Sequence, residues 1–104
     1  MRLNPHHPER FWNHLGRAYF VARNYGEAAN AFRRIGQLDK FHHAFLAACA
    51  AMQGEETTAA SHAQSVLASD PQFTVAAYLE TLHYRLDSDL AHHREALLKA
   101  GLPA

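Results

Sequence analysis

The chain has 104 residues, enough for one domain and no more. A hydrophobic share of 48% excludes a disordered chain. Ten basic residues balance ten acidic ones, which argues against a nonspecific nucleic-acid binder.

After a polar lead, Met1 to His7, Pro8 suits a helix start, where its missing N–H is not needed. Phe11, Trp12, Leu15, Tyr19 and Ala22 recur at three- and four-residue spacing and predict a helix over residues 8–23. Asn24 is a candidate N-cap for a second helix over 25–38, with Ala28, Ala29, Phe32 and Ile35 as its stripe and Gly36 weakening its end. Asp39 can cap a third over 40–53, carrying Phe41, Phe45, Leu46, Cys49, Ala50 and Met52. Gly54 stands where a left-handed turn residue belongs, and a fourth helix over 55–69 turns Ala59, Ala63, Val66 and Leu67 inward before Asp70-Pro71. A fifth segment over 73–84 has Phe73, Ala76, Ala77, Leu79, Leu82 and Tyr84 to bury. Asp87 or Ser88 caps a sixth helix that runs to Ala100, where Gly101 and Pro103 stop it. Nothing alternates long enough for a strand, so the expectation is an all-α chain of six antiparallel helices.

The charge is unevenly placed. Residues 1–52 hold seven Lys/Arg and three Asp/Glu, a balance of +4; residues 53–104 hold three and seven, a balance of −4. Two solvated faces account for this, as does a basic surface that attracts an acidic segment or a second copy of the chain. Cys49 is the sole cysteine, so an internal disulfide is impossible, which fits a reducing cytoplasm. The N-terminus lacks the apolar core of a signal peptide and no run approaches the ~18 apolar residues of a membrane span, so a soluble, cytoplasmic protein is expected.

The strongest motif is Trp12-x2-Leu15-Gly16-x2-Tyr19 followed by Ala28-x3-Phe32. It is similar to the tetratricopeptide (TPR) repeat, a helix-turn-helix unit of about 34 residues. Its rings sit on one side of the first helix and meet the second. Gly16 and Ala28 are small, so the two backbones can approach closely. A second unit is fainter: Leu46-Ala47, Ala50, Ala59 and Ala63 repeat the first unit's positions 31 residues later, with aromatics replaced by alanines. The residues by which this spacing falls short are expected to come from the connection near Gln37 to Lys40. Tyr84, Leu97 and Ala100 are all that the last pair keeps of the pattern. The expected organisation is a TPR-like solenoid with a first unit over 9–39, a second over 40–71 and a degenerate capping pair over 72–104.

The tail, Asp70-Pro71-Gln72-Phe73, Tyr84-Arg85 and Leu97-Leu98-Lys99-Ala100-Gly101-Leu102-Pro103, resembles the C-terminal TPR-like region of proteobacterial class III adenylate cyclases and related transcriptional regulators. That resemblance implies a regulatory, protein-binding region and no cyclase activity. It places a concave groove along the first helix of each pair, lined by Arg10, Asn13, Arg17, Phe20 and Val21 and by Phe41, Ala44, Ala48, Ala51 and Met52. A chaperone-tail clamp looks incomplete, because Ala44, Phe45 and Ala48 stand where polar residues are needed.

Nine histidines, including the doublets His6-His7, His42-His43 and His92-His93, invite a metal hypothesis. Neighbours on a helix diverge by about 100°, so a doublet cannot chelate one ion, and no His-x-x-x-His pair exists. A surface that gains charge as pH falls, with Asp39–His43 and Asp89–His93 contacts, is the simpler expectation. Cys49 reads as a buried structural thiol, and no phosphate loop, Gly-x-Ser-x-Gly or Cys-x-x-Cys is present. The sequence therefore points to a non-enzymatic module, without cofactor or metal, that binds an acidic peptide or partner domain, away from nucleic acid and membrane. Homodimerisation is the first alternative, and a histidine-based metal protein the second.

Overall fold

The computed structural model describes residues 8–36, 38–82 and 84–104. The polar lead with its doublet His6-His7, together with Gln37 and His83, lies outside the described residues. Among the described residues there are six α-helices and no strand: α1 (Pro8–Val21), α2 (Tyr25–Arg33), α3 (Lys40–Met52), α4 (Glu56–Ser69), α5 (Val75–Glu80) and α6 (Asp87–Lys99).

Local chemistry sets most boundaries. α1 closes through Arg23, which takes φ 66° while its N–H bonds to the Phe20 carbonyl and the Asn24 N–H bonds to that of Tyr19. α2 stops at Arg33, well short of residue 38, because the Arg34 and Ile35 N–H groups reach only to the third carbonyl back, a tightened last turn before Gly36. Asn24 precedes α2 but makes no side-chain cap. Asp39 does cap α3. It accepts the Phe41 and His42 N–H groups, and the His42 ring accepts the Asp39 N–H in return, a reciprocal arrangement that satisfies the end of the helix. Gly54 and Gly101 close α3 and α6 with φ of 78° and 99°, where a side chain is strained. α5 is much shorter than the expected 73–84, and its cap is Thr74, whose hydroxyl accepts the Ala77 N–H.

α3 is the centre of the molecule. Every residue from Ala44 to Ala51 is buried, as expected of a helix covered on all sides. α4, α2 and α6 all pack against it. The alanines Ala47, Ala50, Ala51 and Ala59 cluster with Ala100 and bring α3 and α4 close together. Bulk comes from Phe20, Phe32, Leu46 and Leu97, each with essentially no exposed surface and each worth about 1.5–3 kcal/mol of burial. α1 and α2 form a hairpin in which Gly16 lies directly under the Phe32 ring. Trp12 and Tyr19 are half-buried against the same core.

The last pair does not follow the inward pattern expected of it. On α5, Val75, Tyr78 and Leu79 are buried, whereas Ala76 and Ala77 face solvent. α6 folds back over α3 and reaches the α1–α2 turn. Asp89 pairs with Arg23 at 3.1 Å, His92 Nε2 meets the Tyr25 hydroxyl at 2.6 Å, and the His93 ring sits 4.8 Å from Phe20 and 4.7 Å from Phe45. Behind α6, Leu102 is buried and the Pro103 carbonyl accepts the Val75 N–H at 2.8 Å, which ties the tail to the start of α5.

Candidate binding cleft between α1, α3 and α5

α6 changes what the expected groove looks like. Phe20, Ala44 and Ala48 have no accessible surface and Ala51 almost none, so these four belong to the core and not to an open surface. Val21 and Met52 are half-buried, and Arg10 is exposed on the first turns of α1. Asn13, Arg17 and Phe41 are brought together. They line an open cleft of about 340 Å³ with Asp39, His42, Phe45, Tyr78, Thr81 and Leu82.

Its floor is aromatic. Phe41 stacks on Tyr78 with centroids 5.7 Å apart, and Phe45 meets Tyr78 edge-on at 6.5 Å. Phe41 keeps 41% of its surface exposed, so one side of its ring stays open. The Arg17 guanidinium lies over Phe45, 6.0 Å from its centroid, and has no ion-pair partner among the described residues. Tyr78 is 97% buried, from an exposure of 3%, and its hydroxyl has no hydrogen-bond partner among the described residues. Burial pushes its pKa far above the ordinary phenol value, with the nearby Tyr84 adding and Arg17 opposing. The group is therefore a neutral O–H donor.

The polar rim is mostly donors. His42 Nδ1 accepts the Asp39 N–H, which leaves the proton on Nε2. Asp39 Oδ1 is already committed to the Phe41 and His42 N–H groups. The Thr81 hydroxyl is spent on the Tyr78 carbonyl at 2.6 Å. Arg17, Asn13, His42 and Tyr78 thus have donors to offer, set beside the Asn13 amide oxygen and the second oxygen of Asp39 as acceptors.

A second cleft, about 460 Å³, lies between α1 and α2 and is lined by Trp12, Leu15, Tyr19, Glu27 and Arg34 among others. Arg34 covers Trp12 at 4.9 Å there. Among the described residues it holds no buried donor without a partner.

The histidines are not a uniform surface. His93 is fully buried; its Nδ1 meets the Tyr84 hydroxyl at 2.8 Å, and its Nε2 has no partner among the described residues. Burial, then His92 and Arg17, lowers its pKa to about 3. His43 Nδ1 lies 3.0 Å from His62 Nδ1, an α3–α4 hydrogen bond in which one ring donates to the other. Both pKa values are lowered, chiefly by burial. The expected Asp39–His43 and Asp89–His93 contacts are replaced: Asp39 shares the α3 cap with His42, and Asp89 pairs with Arg23. Among the described residues no group of three or more His, Cys, Asp or Glu is arranged to hold a metal ion. Cys49 is buried, and burial raises its thiol to about 12, the opposite of an activated nucleophile. No described helix is long and apolar enough to cross a membrane.

Tyr78, His42, Thr81 and Leu82 are cleft residues that sequence reasoning missed. A signal for Tyr78 existed: Val75, Tyr78, Leu79 and Leu82 form an i, i+3, i+4, i+7 set. Comparison with protein-family models, with curated proteins and with solved structures found no match.

Proposed function

We propose that this chain is a protein-interaction module that docks a short acidic segment of a partner protein in the cleft between α1, α3 and α5. The observation that carries this reading is the pairing of an exposed aromatic floor, Phe41 beside Tyr78, with the unpaired guanidinium of Arg17. Apolar burial supplies affinity and Arg17 supplies charge selection. The +4 balance of residues 1–52, which contribute α1 and all of α3, favours an acidic partner.

The α1–α2 hairpin supports a TPR-like origin, because Gly16 against Phe32 is the close approach that the repeat motif needs. We read α1–α4 as two such hairpins and the whole as a regulatory region of the kind found beside catalytic or DNA-binding domains. In this reading α6 occupies the inner part of the concave face and leaves only its outer end, the cleft, for a ligand.

The test is selection of random peptides displayed on phage against the whole chain. The expected result is a set of peptides enriched in Asp or Glu next to an apolar residue, whose affinity falls at least about tenfold for Arg17→Glu while helicity is unchanged. Peptides that bind Arg17→Glu as well as the original chain would reject the cleft as the docking site. Homo-association is the second reading, favoured by the opposite charge of the two halves. Its sign is a sedimentation coefficient that drops as salt rises.

A further inference from the structure

Tyr78 poses a specific question. A buried hydroxyl without a partner is destabilising, and phenylalanine would fill the same space without that cost. Tyr78 lines the cleft beside Arg17 and Asp39. It is neutral and carries a proton at any pH the protein meets. Among the described residues the Tyr78 hydroxyl has no hydrogen-bond partner and the Arg17 guanidinium no ion pair, and both residues line this cleft.

We propose that the cleft recognises one carboxylate side chain of the docked segment, taken by the Tyr78 hydroxyl and the Arg17 guanidinium, while an adjacent apolar side chain of that segment lies on the open face of Phe41. This rests on the docking function proposed above and adds its selection rule. The hydroxyl has no exposed surface in the free chain, so a carboxylate reaches it only when the cleft wall shifts on docking. One full negative charge fits the wall better than two. A single guanidinium faces the ligand, and Asp39, an acidic neighbour on the rim, opposes a dianion. A neutral amide supplies half the acceptors of a carboxylate and presents its own N–H donors to a wall of donors.

The experiment is a titration of the isotope-labelled whole chain, followed by NMR, with three capped hexapeptides. They are identical except that one position beside a leucine is Glu, Gln or phosphoserine. The Glu peptide is expected to shift the Arg17 and Tyr78 resonances and to bind about tenfold more tightly than the Gln peptide. Tyr78→Phe and Arg17→Gln are each expected to erase most of that preference, while Tyr78→Phe does not lower the melting temperature. Equal binding of the Glu and Gln peptides at the cleft overturns the carboxylate rule and leaves docking standing. Tighter binding of the phosphoserine peptide overturns it too, as does a Glu preference that survives both substitutions. Binding of all three peptides away from the cleft rejects the docking site itself.

Discussion

A methyl group on Gly16 would lie 2.7 Å from Cε2 and Cζ of Phe32, closer than carbon atoms approach. The α1–α2 hairpin is therefore built to the size of a hydrogen atom at one point. Phe32 cannot retreat easily, because its ring is fully buried and stacked on Phe45 at 4.9 Å. Gly16→Ala is expected to lower stability by about 1–3 kcal/mol despite alanine's better helix propensity. Adding Phe32→Leu should recover part of the loss, a non-additive pair that urea melts of the single and double variants will measure.

Acid should unfold this protein through its histidines. His93 has a folded pKa of about 3 against 6.5 for the free side chain, so the unfolded chain binds the proton first. Stability contributed this way is fully present above pH 6.5 and is lost as pH falls toward 3. The slope is up to about 1.4 kcal/mol per pH unit, or roughly 3 kcal/mol by pH 4. His43, His62 and His92 are shifted in the same direction and add to it. In thermal melts across pH 4 to 7.5, His93→Phe should flatten the dependence; an unchanged profile would place the acid sensitivity elsewhere.

Cys49 should be silent toward thiol reagents in the folded state. Its side chain has no exposed surface and its thiol is raised to about 12, so thiolate is scarce and shielded. Modification by a coloured disulfide reagent should run at the rate of global opening and accelerate by orders of magnitude in denaturant. Fast labelling in buffer would contradict that burial.

Arg23 holds a left-handed backbone, φ 66°, that costs a residue with a Cβ about 1–2 kcal/mol relative to glycine. Its side chain also pairs with Asp89, partly exposed, which offsets a little of this. In an Asp89→Asn background the ion pair is gone and Arg23→Gly isolates the backbone. The expected gain is about 1 kcal/mol, read as a higher denaturation midpoint.

Much of this was legible because it is local. Asp39, Gly54 and Gly101 act within a turn of where they stand, so spacing and residue type suffice to place them. The small residue opposite Phe32 was legible for the same reason, but the stripe on α1 only in part, since Phe11 and Ala22 are exposed and Phe20 is the fully buried residue. α5 was read with alanines inward because a run of small apolar residues fits several faces. The better set, Val75, Tyr78, Leu79 and Leu82, was present but competed with it. The doublet His92-His93 shows the harder limit. Both rings were assigned to the surface, yet one turns into the core beside Phe20 and the other reaches Tyr25. Nothing within a turn of them says so, because Phe20 and Tyr25 lie more than sixty residues away in the chain. Phe20 lies against His92 and His93 of α6, so the same long-range docking removes it from the expected groove.

A helix of six residues cannot hold itself in place, and α5 is moored by the backbone bond from Val75 to Pro103 and by buried Leu102. Tyr78, Thr81 and Leu82 ride on that mooring. Trimming the three residues after Gly101 should thus loosen one wall of the cleft while the α1–α4 hairpins stay intact. Whatever grips or clips those last residues would act as a remote control over docking.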